Sequence, residues 1–473
     1  MSYSENREVR IRMYRQGLGD CFLLTFPRKP KPFHMLLDCG ALNSKHYGSE
    51  LIKDVVNDIK TETEGRLDVV AATHEHWDHI SGFYQAQDVF KEIDVERVWV
   101  AWTEEPDNEA AQLLKKKFKK QKKAVEKALA KLPNNEKDRH LSLYKKAITE
   151  LFGFFGGVGT TGGKSYVDQA WDNLLSLGKK VYCDPKKRPL EMDGVDGVRV
   201  YILGPPEDPE FIKKRLSTKE TYDEGKHAFS LLDSFLAAVA SDENAPEETA
   251  RAFPFDQRFR IPPNEAKRAR FFQDNYGFTK GTKTGWRRID HAWLNLAGEL
   301  ALHLDNYTNN SCLAMAIELV DSGKVLLFPG DAQVGNWLSW GELSWKIKDA
   351  QGKTQTVTSA DLLSRTVLYK VGHHGSHNAT LRAKGLELME SPDLVAMIPV
   401  HRKTAKDQEW EFPYSRLWDR LKVKARGRVL LADAKHIKEI EHEAQDMLSP
   451  AEWKSFQDST KFTPLFIEHR VKY

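Results

Sequence analysis

A dense run of metal-binding residue types follows an apolar segment near the start of the chain. Residues 67–72 predict a buried strand, and the next seven residues include His74, His76, Asp78 and His79. Side chains at positions i and i+2 of a strand leave on the same face, so His74 and His76 can bring two imidazole nitrogens to one cation. Asp78 and His79 follow where the strand breaks, and they can hold a second cation. Two neighbouring cations polarise a phosphoryl or carbonyl oxygen and generate hydroxide at neutral pH, so the run predicts a two-metal hydrolytic site.

Three more apolar segments end in residues of the same chemical types. Residues 35–37 precede Asp38, and residues 324–328 precede a Pro-Gly turn and then Asp331. Residues 367–371 precede a glycine followed by His373 and His374. Because strand ends commonly meet at one edge of a sheet, four such endings in one chain favour a shared site over coincidence.

These motifs together resemble the metallo-β-lactamase-fold hydrolases. Within them the likeness is greatest to the cytoplasmic hydrolase domain of the DNA-uptake competence protein ComEC. It extends to Gly17-x-Gly19-Asp20, to residues 197–206, to Asn309-Asn310-Ser311 and to residues 370–376. The resemblance implies an α/β (α+β) protein built as a four-layer αββα sandwich. Its two mixed sheets would lie face to face, with helices outside and the metals along one edge.

The resemblance also implies a role for each matched residue. His74 and His76 would bind the first of two divalent metal ions, zinc or else manganese, and Asp78 and His79 the second. Asp331 would bridge both ions, and His374 would complete the second site, with His373 as the alternative ligand. Asp38 would orient the histidine-rich loop through hydrogen bonds.

The implied reaction is hydrolysis by a metal-bound hydroxide that Asp78 and Asp331 help to hold. The histidine of the 373–374 pair that is not a ligand would protonate the leaving group or hold the oxyanion. Ser376 and His377 are candidate substrate contacts, although a turn-stabilising serine and a solvent-facing histidine are the simpler interpretation.

The chain departs from the family pattern in two places. Many members supply a further histidine to the first metal, whereas residues 98–105 contain none. His227, His291 and His303 are substitutes by position only. Near the C-terminus, where the competence-like pattern often has His-Pro, residues 410–414 read Trp-Glu-Phe-Pro-Tyr.

Two long segments interrupt the predicted catalytic core, which we expect to form one domain over residues 1–473. Residues 103–165 predict a basic helical hairpin and a glycine-rich loop, with seven lysines between Lys115 and Lys123. Residues 207–300 interleave arginines with aromatic residues between Arg251 and Arg288. Both segments suit a nucleic-acid partner, but a solvated helix face explains the first equally well, and a lid or subunit contact the second. The glycine-rich loop is no phosphate loop, because Val158 stands where that motif requires glycine.

Composition limits the remaining possibilities. The formal net charge of +3 gives no global attraction to polyanions, and the four cysteines form no Cys-x-x-Cys pair. No basic-then-apolar leader and no apolar run of about 20 residues is present, so we expect a cytoplasmic protein without membrane contact. The sequence does not predict its oligomeric state.

The sequence thus favours a metal-dependent hydrolase, most specifically a phosphodiesterase or nuclease acting on nucleic acid. The first alternative is hydrolysis of a small phosphodiester, ester or lactone, since fold alone does not fix substrate. The second alternative is a regulatory or binding subunit with a vestigial metal site, which the missing first-site histidine keeps open.

Overall fold

The computed structural model describes most of the chain. The described residues are 7–42, 46, 48–130, 160–161, 164–214, 220–221, 261, 263–278, 284, 287, 304–348 and 353–473. The chain divides into two compact units. The first unit comprises residues 1–113, 153–225 and 306–473, and the second comprises residues 114–152 and 226–305.

The first unit contains a mixed sheet of eight strands. Labelled in chain order and given in spatial order, these are β18 (Thr460–Phe462), β19 (Phe466–Lys472), β1 (Glu8–Tyr14), β2 (Phe22–Phe26), β3 (Phe33–Leu37), β4 (Arg66–Ala71), β5 (Asp94–Ala101) and β8 (Lys179–Cys183). The pairs from β18 to β3 are antiparallel, and β3, β4, β5 and β8 run parallel.

A second mixed sheet in the same unit has seven strands. In spatial order they are β17 (Val429–Leu431), β16 (Val395–Ile398), β15 (Thr366–Lys370), β12 (Lys324–Phe328), β11 (Ala314–Leu319), β10 (Val198–Gly204) and β9 (Leu190–Glu191). The pairs from β9 to β12 are antiparallel, and β12, β15, β16 and β17 run parallel. Two short hairpins pair β6 (Thr160–Thr161) with β7 (Lys164–Ser165) and β13 (Ser344–Lys348) with β14 (Thr354–Thr358).

Helices connect the strands. They span Ser49–Glu62, Trp77–Ile80, Gly82–Gln85, Gln87–Phe90, Glu109–Ala130, Tyr166–Ser176, Pro209–Lys213, Pro263–Ala266, Arg270–Tyr276, Val334–Ser339, Ser359–Ser364, Arg402–Asp407, Ser415–Lys424, Glu441–Gln445 and Pro450–Asp458. Short 3₁₀ turns cover Trp102–Glu104, Trp340–Glu342, Gly372–Gly375, Leu386–Leu388 and Ile437–Glu439. The helix Ser49–Glu62 buries Ile52, Val55, Val56 and Ile59, the spacing of an amphipathic helix that lies on a sheet.

Three apolar cores show how these elements stack. One core joins the two sheets face to face, and in it the rings of Phe22 and Phe328 meet edge to face at 5.9 Å. A second core lies between the eight-stranded sheet and helices such as Ser49–Glu62. A third lies between the seven-stranded sheet and helices that contribute Trp337 and Leu417. Helix, sheet, sheet and helix layers therefore follow one another, and the predicted four-layer αββα sandwich is confirmed.

The two predicted insertions are only partly described. Residues 109–130 form a helix, as the first half of the predicted hairpin requires, while its turn and second half lie outside the described residues. Residues 251–260 of the arginine-rich segment, and most of residues 279–303, also lie outside them, as do His227, His291 and His303. Across the described ranges, no helix is both long and apolar enough to cross a membrane.

Candidate metal centre

The histidine-rich loop begins where β4 ends at Ala71 and runs into the short helix Trp77–Ile80. Hydrogen bonds from two neighbouring segments fix the backbone of this loop. Asp20 N donates to Asp78 O at 2.9 Å, and Cys39 N donates to His79 O at 2.8 Å. A Cβ atom on Gly40 would lie 2.4 Å from the Asp78 carbonyl carbon, so only glycine permits this approach. The loop is therefore rigidly placed against the segment that follows β3.

Asp38 organises the side chains of this loop. Its two oxygens accept hydrogen bonds from Thr73 N at 2.8 Å and Thr73 Oγ1 at 2.7 Å. His79 Nδ1 lies 2.8 Å from Asp38 Oδ2, which places the ring proton on Nδ1 and leaves Nε2 facing inward. This is the geometry that the predicted orienting role of Asp38 requires.

Four fully buried ligand-type side chains converge beside this loop. Asp78, His79, Asp331 and His374 each offer one atom, and these atoms all lie within 4.8 Å of one another. His79 Nε2 is 3.1 Å from Asp331 Oδ2, and His374 Nε2 is 2.9 Å from Asp78 Oδ2.

Three polar atoms at the centre of this cluster are incompletely satisfied, because His79 Nε2 and Asp331 Oδ2 form an ion pair at 3.1 Å without a well-aligned hydrogen bond. Within the described residues, Asp78 Oδ1, His79 Nε2 and Asp331 Oδ2 are buried and make no hydrogen bond. Burying such atoms without full hydrogen bonding costs free energy, whereas a shared cation would satisfy all three. The donor set of two imidazoles and two carboxylates therefore fits a divalent metal ion.

The topology explains why residues so distant in sequence meet. Asp331 follows β12 after a turn at Gly330, whose φ is +58°, and His374 follows β15. Because β12 and β15 are parallel, their carboxyl ends lie at the same edge of the seven-stranded sheet. β4 of the facing sheet delivers Asp78 and His79 to this edge.

The structure distinguishes His374 from His373. His374 is fully buried, and its Nδ1 lies 2.7 Å from Pro399 O, which leaves Nε2 to face Asp78. His373 instead donates its backbone N–H to Asp331 Oδ1 at 3.0 Å, and its ring lies 5.7 Å from that of Phe412. His374 is thus the member of the pair that joins the ligand cluster.

His74 and His76 lie next to the cluster without joining it. Their rings are 4.6 Å apart, and the His74 ring is 4.2 Å from that of His79. In the described part of the chain, neither falls in a group of three or more ligand atoms as close together as the four above. The predicted first site is therefore less completely assembled than the second.

The orientation of His74 depends on two residues that the sequence analysis did not assign to the site. Its Nδ1 lies 3.0 Å from Thr73 Oγ1 and 3.4 Å from Cys312 Sγ. Cys312 Sγ also accepts from Asp331 N at 3.2 Å. Since Nδ1 is engaged, Nε2 is the nitrogen that His74 can offer to a ligand.

The pKa values of the histidines are shifted by burial and by the neighbouring carboxylates. Burial lowers the pKa of His74 well below its usual value and that of His76 to about 3, so both rings are neutral as metal ligands must be. Burial also opposes the charge on His79, but Asp331, Asp20 and Asp78 outweigh it and raise that pKa. The His79 proton thus balances carboxylate charge that a metal ion would otherwise neutralise.

Lys370 and Asp20 form a buried charge pair that gives the cluster further support. Lys370 Nζ donates to Gly330 O at 2.8 Å, to Asp331 Oδ1 at 3.1 Å and to Asp20 Oδ2. Burial disfavours the ammonium form, but Asp20 and Asp331 outweigh burial and raise the pKa of Lys370. The ammonium therefore hydrogen-bonds to Asp331 Oδ1, and Asp331 Oδ2 is left facing the cluster.

The two predicted substrate contacts take different positions. Ser376 is buried, and its hydroxyl donates to Asn378 Oδ1 at 2.9 Å within the turn. The His377 ring lies 5.8 Å from that of Tyr414. The Ser376 hydroxyl thus stabilises the local turn, as the simpler interpretation expects.

An aromatic segment, Trp410–Tyr414, lies against the His373–Gly375 turn. Tyr414 N donates to Gly375 O at 2.9 Å, and a Cβ atom on Gly375 would lie 2.8 Å from Pro413 Cβ. The Phe412 ring is 5.9 Å from that of His374. Aromatic side chains therefore border the cluster at this turn.

No family model and no curated protein matches the chain. A search of solved structures returns the metallo-β-lactamase fold protein YhfI from Bacillus subtilis, with 11% sequence identity and a TM-score of 0.18. The alignment covers 41% of this chain and spans about half, 52%, of that protein. The family of this chain thus stays a prediction from its motifs, and its architecture rests on the sheets and cores described above.

Proposed function

We propose that this chain is a metal-dependent hydrolase, and more specifically a phosphodiesterase that acts on nucleic acid. The observation that carries the proposal is the buried convergence of Asp78, His79, Asp331 and His374 with inward-facing atoms that lack hydrogen bonds. Buried ligand atoms without hydrogen bonds are costly, so their retention in a folded protein supports a bound cation.

In this proposal the four converging residues hold one divalent ion, and His74 and His76 with Asp331 hold a second. Zinc or manganese suits a set of imidazoles and carboxylates. When bound, such ions polarise a phosphoryl or carbonyl oxygen and lower the pKa of a water molecule.

Two neighbouring residues position the ligand side chains. Asp38 fixes the His79 tautomer, and Lys370 restrains Asp331 through one carboxylate oxygen. His373 lies beside the cluster at the end of β15 and is 7% exposed, whereas His374 is fully buried. We assign His373 the role of hydrogen-bond donor to the negative charge that develops on the reacting group.

A nucleic-acid substrate is favoured by the basic segments. In the helix Glu109–Ala130, six of the seven lysines between Lys115 and Lys123 are exposed. Lys267, Arg268 and Arg270 of the second segment are exposed as well. Clusters of this kind neutralise backbone phosphates and make binding strongly salt-dependent.

A small phosphodiester, ester or lactone is the second candidate substrate, because the same cluster can act on any polarised centre. A vestigial, regulatory site is disfavoured by the complete set of four converging ligands. The metal content of the purified protein separates this possibility from both enzymatic ones.

The deciding experiment combines metal analysis with a substrate panel. The experiment uses the purified unmodified protein and two variants, Asp78→Asn and Asp331→Asn. Each is loaded with zinc or manganese and incubated with single-stranded, double-stranded and circular DNA. They are also given bis(p-nitrophenyl) phosphate, an ester and a lactone. Asp321→Asn is the matched control, because Asp321 is 59% exposed and pairs with Arg7 on the surface.

We expect metal-dependent DNA cleavage in the unmodified chain and in Asp321→Asn, and its loss in the other two variants. Turnover of the ester or lactone alone would transfer the proposal to the second candidate. A protein that binds neither metal would refute the hydrolase proposal as a whole.

A further inference from the structure

A pocket of about 590 Å³ opens beside the aromatic segment Trp410–Tyr414. Its walls include the rings of Trp410, Phe412 and Trp418, and all three side chains are partly exposed. The volume lies within the range of small-molecule sites, which combine apolar and aromatic walls with a few polar groups.

The pocket shares a wall with the candidate metal centre. Phe412 lines it, and the same ring lies 5.7 Å from that of His373 and 5.9 Å from that of His374. The Trp410 ring follows at 5.6 Å from Phe412. An aromatic surface thus leads from the ligand cluster into the pocket.

The charges that line the pocket nearly cancel. Arg402 and Lys406 contribute two positive charges, and Glu409 and Glu411 contribute two negative ones. Arg402 is also held by Asp433, whose carboxylate accepts from its Nε at 2.9 Å. The pocket therefore offers ring faces and hydrogen-bonding groups rather than a strong field for an anion.

We propose that this pocket binds a nucleobase of the substrate, an inference that rests on the proposed phosphodiesterase function and names its recognition element. A base is planar, uncharged and edged with donors and acceptors, which suits aromatic walls of balanced charge. Its phosphate would lie outside the pocket, toward the ligand cluster that Phe412 adjoins. Stacking on aromatic side chains is independent of base identity, because every base has a π-face.

The test measures binding rather than turnover. Adenosine 5′-monophosphate and ribose 5-phosphate are titrated into the full chain by calorimetry, once with EDTA and once with zinc. The two ligands carry the same phosphate, so their difference in affinity isolates the base. We expect adenosine 5′-monophosphate to bind at least about fivefold more tightly under both conditions.

Two substitutions locate the effect in the pocket. Trp410→Ala is expected to remove most of the base-dependent difference, and Trp410→Phe is expected to retain it. Ser415→Leu is the variant of choice if Trp410→Ala fails to fold, because Ser415 lines the pocket yet is exposed, and a bulky aliphatic side chain there would occupy the pocket without offering a ring for stacking. Lys454→Ala, on a 70% exposed lysine of a different helix, is the control.

Equal affinity for the two ligands, or a base-dependent difference that survives both Trp410→Ala and Ser415→Leu, would overturn the inference. Neither result touches the hydrolase proposal, because metal binding and cleavage are measured separately. Conversely, the protein could bind the base in EDTA and yet cleave no phosphodiester. That result would support the pocket as a base-binding site and refute the phosphodiesterase function.

Discussion

Replacing Lys370 by methionine tests whether its buried ammonium holds the metal centre together. The Lys370 side chain is 2% exposed and contacts Asp20 and Asp331, which are also fully buried or nearly so. Methionine keeps the length and apolar stem of the side chain and removes its charge. Asp20 and Asp331 would then lose the ammonium that both contact, and the His79 ring would be left as a positively charged neighbour of the two carboxylates.

The expected cost follows from this burial. Removing one partner of a buried ion pair typically costs about 3–5 kcal/mol, because the other charge stays desolvated. Protonation of Asp20 limits the loss, since burial already raises the pKa of that carboxyl despite Lys370 and His79 nearby. We therefore expect about 3 kcal/mol of destabilisation in EDTA, and less with zinc, because a bound cation replaces part of the missing charge.

Urea denaturation followed by tryptophan fluorescence measures this difference in the free energy of unfolding. Lys60→Met is the matched control: Lys60 pairs with Glu92, but both side chains are exposed, so its loss should cost no more than about 1 kcal/mol. Equal destabilisation by the two variants in EDTA would refute the reasoning. So would a Lys370→Met variant whose stability does not respond to zinc.

Three further predictions concern the supports of the site and the core. Gly40→Ala should cost about 1–3 kcal/mol of stability and weaken zinc binding, because its Cβ would overlap the backbone of the histidine-rich loop. Gly48→Ala is the control, since open space surrounds Gly48. Equal denaturation midpoints for the two variants would contradict this prediction. Asp38→Asn should weaken zinc binding about 10- to 100-fold in a chelator competition, since His79 loses its charged acceptor; unchanged affinity would exclude that role. Burial lowers the pKa of His469 to about 3, so the unfolded chain binds a proton below about pH 6.5 that the folded chain rejects. Protonation of the unfolded chain therefore lowers the free energy of unfolding by about 2 kcal/mol at pH 5 and leaves it unchanged above about pH 6.5. We expect His469→Gln to reduce the loss of unfolding free energy between pH 7 and pH 5, because glutamine does not titrate.

The residues at the edge of the sandwich could be predicted because they follow local patterns, whereas the sandwich itself was implied by the family resemblance of those motifs. Apolar segments that end in histidine or aspartate place those side chains at strand ends whatever the rest of the chain does. His74, Asp331 and His374 were found in this way. Which histidine of the pair at 373 and 374 faces inward depends on two consecutive left-handed residues, with φ of 45° and 53°, which spacing cannot reveal.

Lys370 shows where pattern reasoning fails. A lysine at the end of a strand is ordinarily expected to face solvent, yet all five residues of Thr366–Lys370 are buried because helices cover one face of the sheet and a second sheet covers the other. Its partner Asp20 comes from a loop 350 positions earlier in the chain, so their pairing emerges only in the folded structure. The contact of Cys312 with His74 could not be predicted for the same reason, since the two residues lie 238 positions apart.

The supports of the cluster also bear on how many ions it can hold. Asp331 Oδ1 accepts from Lys370 Nζ and from His373 N, so Oδ2 is the oxygen that faces the other ligands. With Lys370 in place, Asp331 would therefore offer only Oδ2 to metal ions. Asp78, His79 and His374 each offer an atom within 4.8 Å of the ligand atom of Asp331, and His79 Nε2 is 3.1 Å from Oδ2, whereas His74 and His76 do not belong to that group. The site formed by Asp78, His79, Asp331 and His374 should consequently fill first, and a zinc titration should resolve one tight site before any weaker second one.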